Sequence, residues 1–192
     1  MNFLAHSYLT LTDEQIVGQF LQDFIRNSKR FSFPEKVGEG ITLHRAIDTF
    51  TDAHTEIHEA KKIFSPLVRL YAGAFVDVSF DYFLANSMTE RDLFEHSQKV
   101  YRVLRRFESI FPARFSKMLD AMEKDNWLYH YKDDSGIGFS FRNVLYKAKY
   151  LDENLAVFEV FLSNKEKLQS HFDAFFPDLQ RHVAKVHAGF KV

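Results

Sequence analysis

The chain of 192 residues lacks several features that mark common classes of protein. It contains no cysteine, which excludes disulfide bridges and thiolate metal sites. Seven glycines and four prolines are few for this length, so we expect long secondary-structure elements with few breaks. No run of about 18 apolar residues occurs, and the formal net charge is only −1. Neither a membrane partner nor a nucleic-acid partner is therefore indicated.

Apolar side chains, and phenylalanine above all, are abundant. Hydrophobic residues make up 46% of the chain, charged residues 27%, and 22 residues are phenylalanine. This composition is typical of a globular protein with a thick core. The length suits one domain, so we predict a single compact domain over residues 1–192. Because the start of the chain lacks the basic region of a signal peptide, we expect a cytoplasmic location.

Apolar residues recur with the period of an α-helix along nearly the whole chain. Thr12 followed by Gln15 is typical of a capped helix start, and Thr89 predicts the start of a later helix. The alternation expected of β-strands is missing, and no internal repeat occurs. The sequence therefore predicts an all-α fold.

Prolines and polar clusters predict where these helices begin and end. Pro66 and Pro177 are each expected to open a helix. Residues 133–136 form the clearest predicted loop, and a break is expected near residues 163–164. Gly38 and Gly40 weaken the start of their predicted helix by about 1 kcal/mol each relative to alanine, which indicates either close packing at these positions or a later helix start.

A histidine and an aspartate interrupt the apolar stripe of one predicted helix. His44 and Asp48 continue the inward face defined by Val37 and Ile41. Residues four apart on a helix can converge on one point. An imidazole and a carboxylate together suit a divalent metal, although a buried hydrogen bond between them explains the spacing equally well.

Two aspartates at the same spacing lie within a strongly apolar helix. Asp77 and Asp81 fall among aromatic and aliphatic residues, where an uncompensated carboxylate costs several kcal/mol. A shared metal would compensate both charges. The alternative is pairing with an arginine, for which the candidates are Arg26, Arg45 and Arg69.

Two further residues, His6 and Asp23, lie near the first predicted helices and suit either a ligand role or an ordinary structural role. The candidate donors are all nitrogen or oxygen atoms, which favours Mn²⁺, Mg²⁺ or Fe²⁺. Neither Glu-x-x-His nor His-Glu-x-x-His occurs, which disfavours di-iron bundles and zinc proteases.

Basic residues form two groups. Lys29 and Arg30 follow the first capped helix, whereas Arg102, Arg105 and Arg106 line the polar side of a later one. Such residues serve solubility, or they form a docking patch for an anionic partner.

Several short motifs resemble the acyl carrier protein phosphodiesterase family and follow one another in that family's order. They are Asn-Phe-Leu-Ala-His at residues 2–6, Gly-Gln-Phe-Leu-Gln-Asp-Phe at 18–24, Gly-Ile-Thr-Leu-His-Arg-Ala-Ile-Asp at 40–48, Thr-Asp at 51–52, Asp77 and Asp81 with Phe-Leu at 83–84, and Trp-Leu at 127–128 with Tyr131. The last third of the chain matches weakly, mainly at residues 143–145.

The resemblance implies a helical fold distantly related to the HD phosphohydrolases, although the chain lacks their adjacent His-Asp pair. It implies metal-dependent hydrolysis of the phosphodiester that joins 4′-phosphopantetheine to a serine of holo-acyl carrier protein, with Mn²⁺ as the metal. Candidate ligands are His6, Asp23, His44, Asp48, Asp77 and Asp81, and candidate catalytic residues are Asp23, His44, Arg45 and Asp48.

Within this hypothesis, Arg45 offsets the charge of the phosphate, and the two basic groups dock the acidic carrier protein.

Two other functions fit the residues. One is a phosphohydrolase acting on a nucleotide or another small phosphodiester, and the other is a non-catalytic helical binding module whose buried acids pair with arginine.

Overall fold

The computed structural model describes residues 1–190, which form eleven α-helices joined by turns and loops, some containing a 3₁₀ helix, and contain no strand. The all-α prediction is therefore confirmed. In chain order the helices are α1 (Phe3–Tyr8), α2 (Asp13–Leu21), α3 (Glu35–Ala53), α4 (Thr55–Val68), α5 (Ala72–Ser87), α6 (Glu90–Arg106), α7 (Ala113–Lys124), α8 (Trp127–His130), α9 (Asp134–Lys147), α10 (Val157–Ser163) and α11 (Lys165–Gly189).

Helix α5 lies at the centre of the molecule and packs against α1, α4, α9 and α11. Its apolar residues meet phenylalanines from these neighbours, and burial of so many aromatic rings stabilises the fold. The fully buried phenylalanines in this part of the core are Phe64, Phe75, Phe80, Phe141, Phe161 and Phe175. The abundance of phenylalanine in the sequence is thus explained by the core.

Helices α2 and α3 approach so closely that their contact admits only glycine at two positions. A Cβ atom on Gly40 would lie 2.4 Å from the carbonyl oxygen of Gln15. A Cβ atom on Gly18 would lie 2.2 Å from the carbonyl oxygen of Val37. Because these neighbours are backbone atoms, they cannot move aside cheaply. The contact fixes α3, and with it His44, against α2.

Predicted helix boundaries are confirmed where a side chain caps the helix. The hydroxyl of Thr12 accepts a hydrogen bond from the Gln15 N–H at 3.2 Å, and α2 begins at the next residue after Thr12. Thr89 caps α6 in the same way. The break expected near residues 163–164 separates α10 from α11.

Pro66 does not open a helix, so that prediction is wrong. It lies in the last turn of α4. The helix ends only at Val68, and the next residue, Arg69, has a positive φ of 50°. Proline cannot donate a hydrogen bond to the carbonyl of Lys62 one turn back. The hydroxyl of Ser65 donates to that carbonyl instead, at 3.4 Å.

Two other predicted boundaries are also wrong. Pro177 lies inside α11, where burial of Phe175 and Leu179 on either side outweighs its cost to the helix. Residues 133–136 are not a loop, because Asp133 is the residue before α9, which begins at Asp134.

One stretch, Thr55–Ser87, is long and apolar enough to cross a membrane by length and composition alone. It consists of α4 and α5 with the turn at Arg69 between them. The apolar residues of both helices belong to the buried core, which accounts for their hydrophobicity.

Candidate metal centre

A polar cavity of about 260 Å³ opens between α1, α2, α3 and α5. Five of the six predicted ligands contribute to its wall, and Asp81 is the one that does not. The residues that line it are Met1, Asn2, Phe3, His6, Gln19, Phe20, Asp23, His44, Asp48, Thr51, Asp52 and Asp77.

His6 from α1 and the pair His44 and Asp48 from α3 converge at the floor of this cavity. The Nε2 atom of His44 lies 3.1 Å from Asp48 Oδ2, and that of His6 lies 3.3 Å from Asp48 Oδ1. The two imidazole rings stack with their centroids 4.0 Å apart. One potential donor atom from each residue lies within 4.8 Å of the others. We call these three residues the metal cluster.

Gln19 on α2 orients both histidines of the metal cluster. Its side-chain oxygen lies 2.8 Å from Nδ1 of His6, and its backbone carbonyl oxygen lies 2.8 Å from Nδ1 of His44. A backbone carbonyl only accepts, so Nδ1 of His44 carries the proton. With the same assignment on His6, both Nε2 atoms direct lone pairs toward Asp48 when the rings are neutral, whereas a protonated ring donates an Nε2–H hydrogen bond to Asp48.

This arrangement fits a divalent cation. Two imidazole lone pairs facing a carboxylate repel one another unless a proton or a metal lies between them. Histidines that bind metals characteristically donate their other ring N–H to an oxygen, as His6 and His44 do to Gln19. Nitrogen and oxygen donors without sulfur suit Mn²⁺, Mg²⁺ or Fe²⁺.

The pKa values of the metal cluster shift in different directions, and only those of His44 and Asp48 favour a positive charge beside the carboxylate. Burial opposes charge on His44, but the hydrogen bond and charge of Asp48 outweigh it and raise the His44 pKa. Burial, followed by the neighbouring His44, lowers the pKa of His6. Burial would raise the pKa of Asp48, yet hydrogen bonds from His44 and His6 hold it well below its usual range.

Asp23, just after α2, and Asp77 on α5 line the same cavity as the metal cluster. Asp23 Oδ1 lies 3.4 Å from Nε2 of His44, and its side chain is half exposed at the rim of the cavity. Asp77 Oδ1 lies 3.1 Å from the amino nitrogen of Met1, which is fully buried. Asp23 therefore offers an additional oxygen donor within 3.4 Å of the metal cluster.

Asp81 is fully buried below the cavity and caps α1. Its Oδ2 atom accepts a hydrogen bond from the Leu4 N–H at 2.7 Å, and Oδ1 accepts one from the Ala5 N–H at 3.3 Å. Burial raises the pKa of Asp81 to about 7, against the opposing effect of these N–H donors. Asp81 is one helical turn from Asp77, yet the structure does not bring it together with the metal cluster. Its contacts fix the helix that carries His6.

Arginine does not compensate these two acids among residues 1–190. Asp77 contacts the amino nitrogen of Met1, and Asp81 contacts backbone N–H groups. Arg45, expected as a partner of either acid or of a phosphate, is exposed and donates to the side-chain oxygen of Asn27 at 2.7 Å.

The two basic groups differ in how far their charges are already compensated. Arg105 forms ion pairs with three acids, namely Glu108, Asp120 and Glu123. Arg106 pairs with Asp13 at 2.7 Å. Lys29 and Arg30 instead lie in the segment that follows Asp23, and Arg30 shares a surface cavity with Arg45.

Two residues of the site were not predicted as ligands or catalytic residues, although both lie in motifs that carry the family resemblance. Gln19 carries no charge, so its place in the motif at residues 18–24 is the only signal that marks it. Thr51 is buried in the cavity wall, and its hydroxyl has no hydrogen-bond partner among the described residues. A lone hydroxyl on a helix gives no pattern that distinguishes it from a structural residue.

The fold and the site define a class, that of all-α proteins with a polar imidazole–carboxylate pocket suited to a divalent metal. A family model described as acyl carrier protein phosphodiesterase matches residues 1–179. The chain belongs to this family and is therefore a phosphodiester hydrolase.

Curated relatives agree with the family model over nearly their whole length. An acyl carrier protein phosphodiesterase of Enterobacter sp. (strain 638) is 30% identical over 182 residues, which cover 92% of this chain and 94% of the relative. One from Salmonella paratyphi A is 30% identical, with 96% and 98% covered. One from Yersinia pestis is 28% identical, with 95% and 97% covered. No solved structure gives a significant match, so the relation to HD phosphohydrolases stays a prediction.

Proposed function

We propose that this chain hydrolyses the phosphodiester that joins 4′-phosphopantetheine to a serine of holo-acyl carrier protein. The products are apo-acyl carrier protein and phosphopantetheine. The observation that carries the proposal is the convergence of His6, His44 and Asp48 in a solvent-accessible polar cavity, in a chain of this family. The cytoplasmic location expected from the sequence belongs to the same proposal.

In this proposal His6, His44 and Asp48 hold a divalent metal, with Mn²⁺ as the first candidate and Mg²⁺ or Fe²⁺ as alternatives. Such a metal supplies Lewis acidity at the phosphoryl oxygen and activates a water molecule. Gln19 holds both histidines in the tautomer that directs Nε2 into the cavity. Their donor atoms are therefore oriented before substrate binds, which is how metal sites are usually supported.

Four other residues have proposed roles around the metal cluster. Asp23, half exposed and 3.4 Å from His44, adds an oxygen donor or accepts a proton from the attacking water. Asp77 lines the same cavity and is a secondary candidate ligand. Arg45 offsets the charge of the phosphate from the adjacent surface. Asp81 is a positioning residue, since it acts on His6 only through the N-terminus of α1.

For docking of the acidic carrier protein we propose Lys29 and Arg30 ahead of the arginines of α6. The charges of Arg105 and Arg106 are compensated by nearby acids, so they attract a partner less strongly. Phe31, 82% exposed beside Arg30, adds apolar contact area to the first group.

The experiment that tests the function uses holo-acyl carrier protein and measures its intact mass. With Mn²⁺ present, the carrier should lose the mass of phosphopantetheine, and a chelator should stop the loss. The Asp48→Asn variant serves as the enzyme control and should leave the carrier intact. If the wild-type chain leaves the holo-carrier intact at high enzyme and metal concentrations, the proposed function is wrong.

A further inference from the structure

Two further cavities continue from the polar cavity that contains the metal cluster, here called the metal cavity, toward α8 and α9. The first, about 160 Å³, shares Asn2 and Phe3 as walls with the metal cavity. The second, about 290 Å³, shares Trp127 and Ser140 as walls with the first. The three cavities thus follow one another, and each shares two lining residues with the next.

The lining changes character along this path. The middle cavity offers the polar side chains of Asn143, Lys147 and Ser140 beside apolar Val78. In the third cavity the rings of Trp127 and Phe139 meet at 60° with centroids 6.1 Å apart, and Phe139 is 40% exposed. The wall is therefore mainly polar at the metal cluster and mainly apolar, with a few polar side chains, in the two cavities beyond it, which suits a ligand with a charged end and a longer, less polar arm.

Trp127 carries an unused hydrogen-bond donor at the boundary of the last two cavities. Its indole Nε1 is buried and has no partner among the residues that the structure describes. A buried N–H without an acceptor destabilises a protein, so such groups are seldom left unpaired. Indole nitrogen only donates, so its partner must be an acceptor such as an amide carbonyl.

We propose that this path binds the pantetheine arm of the carrier's prosthetic group, an inference that rests on the proposed function. The phosphate lies at the metal cluster, and the two amides of the arm lie along the middle cavity. A carbonyl oxygen of the arm accepts the Trp127 Nε1–H, and the thiol end lies between Trp127 and Phe139. Recognition of the arm then depends on a residue outside the metal cavity.

Fluorescence of the wild-type chain tests this binding without any turnover, because Trp127 is its only tryptophan. The probes are pantetheine, 4′-phosphopantetheine and inorganic phosphate. The first two should change the tryptophan emission with saturation, whereas phosphate alone should not. The proposal is overturned if neither pantetheine compound changes the emission, or if phosphate alone produces the same change.

Kinetics of the Trp127→Phe variant test the hydrogen bond itself. Phenylalanine keeps a smaller aromatic ring in the wall and removes the donor, so KM for holo-acyl carrier protein should rise roughly tenfold, about 1.4 kcal/mol. The decrease in kcat/KM should be at least about fivefold greater for the carrier than for bis(p-nitrophenyl) phosphate, a substrate that has no pantetheine arm. The matched control is Tyr146→Phe, at an exposed position on α9, the helix that also carries Phe139. It should leave kcat/KM unchanged for both substrates.

These two experiments separate the arm site from the proposed function. A wild-type chain that fails to cleave holo-carrier refutes the proposed function, while the fluorescence titration still decides whether pantetheine binds. A wild-type chain that cleaves the carrier, combined with a Trp127→Phe variant that behaves as Tyr146→Phe does, refutes the arm site alone.

Discussion

Helices α3 and α5 each carry two polar residues at the same four-residue spacing, and only one pair converges on a common site. On α3, His44 and Asp48 are 3.1 Å apart and meet His6 from another helix. On α5, Asp77 faces the cavity while Asp81 is buried below it and caps α1. Equal spacing along a helix therefore does not imply a shared ligand.

The difference comes from what lies opposite each pair. The α3 pair faces His6, whose Nε2 is an additional lone pair that needs a cation or a proton. Asp81 faces the first N–H groups of α1, which supply the donors that a buried carboxylate requires. A carboxylate satisfied by backbone donors has no need of a metal.

The largest expected effect comes from breaking the α3 pair. Asp48→Asn should lower cleavage of holo-acyl carrier protein by about 100-fold or more, since loss of mere outer-shell partners of a metal already costs 10–100-fold. Its melting temperature without metal should fall by no more than about 4 °C, because half-exposed ion pairs contribute about 1 kcal/mol. Retained activity would remove Asp48 from the site.

The contact between α2 and α3 gives the next largest effect. Gly40→Ala places a Cβ atom 2.4 Å from the Gln15 carbonyl oxygen and should cost about 3 kcal/mol, or roughly 6–12 °C in Tm. It should also lower activity by displacing His44 relative to Gln19. Gly38→Ala is the matched control, since nothing lies within 4 Å of its Cβ, and it should stabilise α3 by up to about 1 kcal/mol. Equal behaviour of the two variants would contradict the close contact.

Removing the Asp81 carboxylate of α5, which accepts hydrogen bonds from α1, should affect stability more than metal binding. Asp81→Leu leaves the N–H groups of Leu4 and Ala5 unpaired and should lower Tm by roughly 4–8 °C, from a loss of about 2 kcal/mol. The metal-free protein should already show this fall in Tm, because the loss arises at the N-terminus of α1 and does not require a bound metal. A loss of Tm seen only in the presence of metal would instead mark Asp81 as a ligand.

The raised pKa of Asp81 predicts a smaller effect that depends on pH. Its pKa is about 7 in the folded chain and near 3.8 in the unfolded chain, so folding binds a proton between these values. The stability that this proton contributes is complete below about pH 4 and is lost as pH rises through about 7. Relative to Asp81→Asn, which cannot titrate, the wild type should lose at least about 1 kcal/mol over this range in urea titrations. A constant difference between the two proteins would contradict the assignment.

Docking charges should give the smallest effect. Reversing Lys29 and Arg30 to Glu should raise KM for the carrier several-fold at low salt, and about 0.5 M salt should remove most of the difference. Reversing Arg102 and Arg106 on α6 is the comparison and should raise KM less, since Arg106 already pairs with Asp13. A larger rise in KM on reversal of Arg102 and Arg106 would show that the carrier docks at α6 instead.

Sequence reasoning predicted those parts of the fold that local signals determine. The caps at Thr12 and Thr89 and the all-α class follow from short-range hydrogen bonds and periodicity, and the structure agrees. Pro66 and Pro177 were misjudged because the packing of their helices outweighs a local preference for a helix start. The position of a proline in the sequence does not reveal how deeply its helix is buried in the folded protein.

The site was predictable only in part, for a similar reason. His44 and Asp48 are marked by their position on an apolar face, so pattern alone selects them. The role of Asp81 depends on α1 folding back over α5, and that of Gln19 on a backbone carbonyl meeting an imidazole from another helix. Such contacts between distant segments leave no spacing in the sequence from which they could be inferred.

Binding of Mn²⁺ to the metal-free chain, measured by isothermal titration calorimetry, tests the central claim most directly. The comparison needs three proteins, namely the wild type, Asp48→Asn and Asp81→Asn. Asp48→Asn should lose most of the heat of binding, whereas Asp81→Asn should bind Mn²⁺ with nearly the wild-type affinity. The reverse result, with binding lost in Asp81→Asn and kept in Asp48→Asn, would contradict the assignment of the metal to His6, His44 and Asp48.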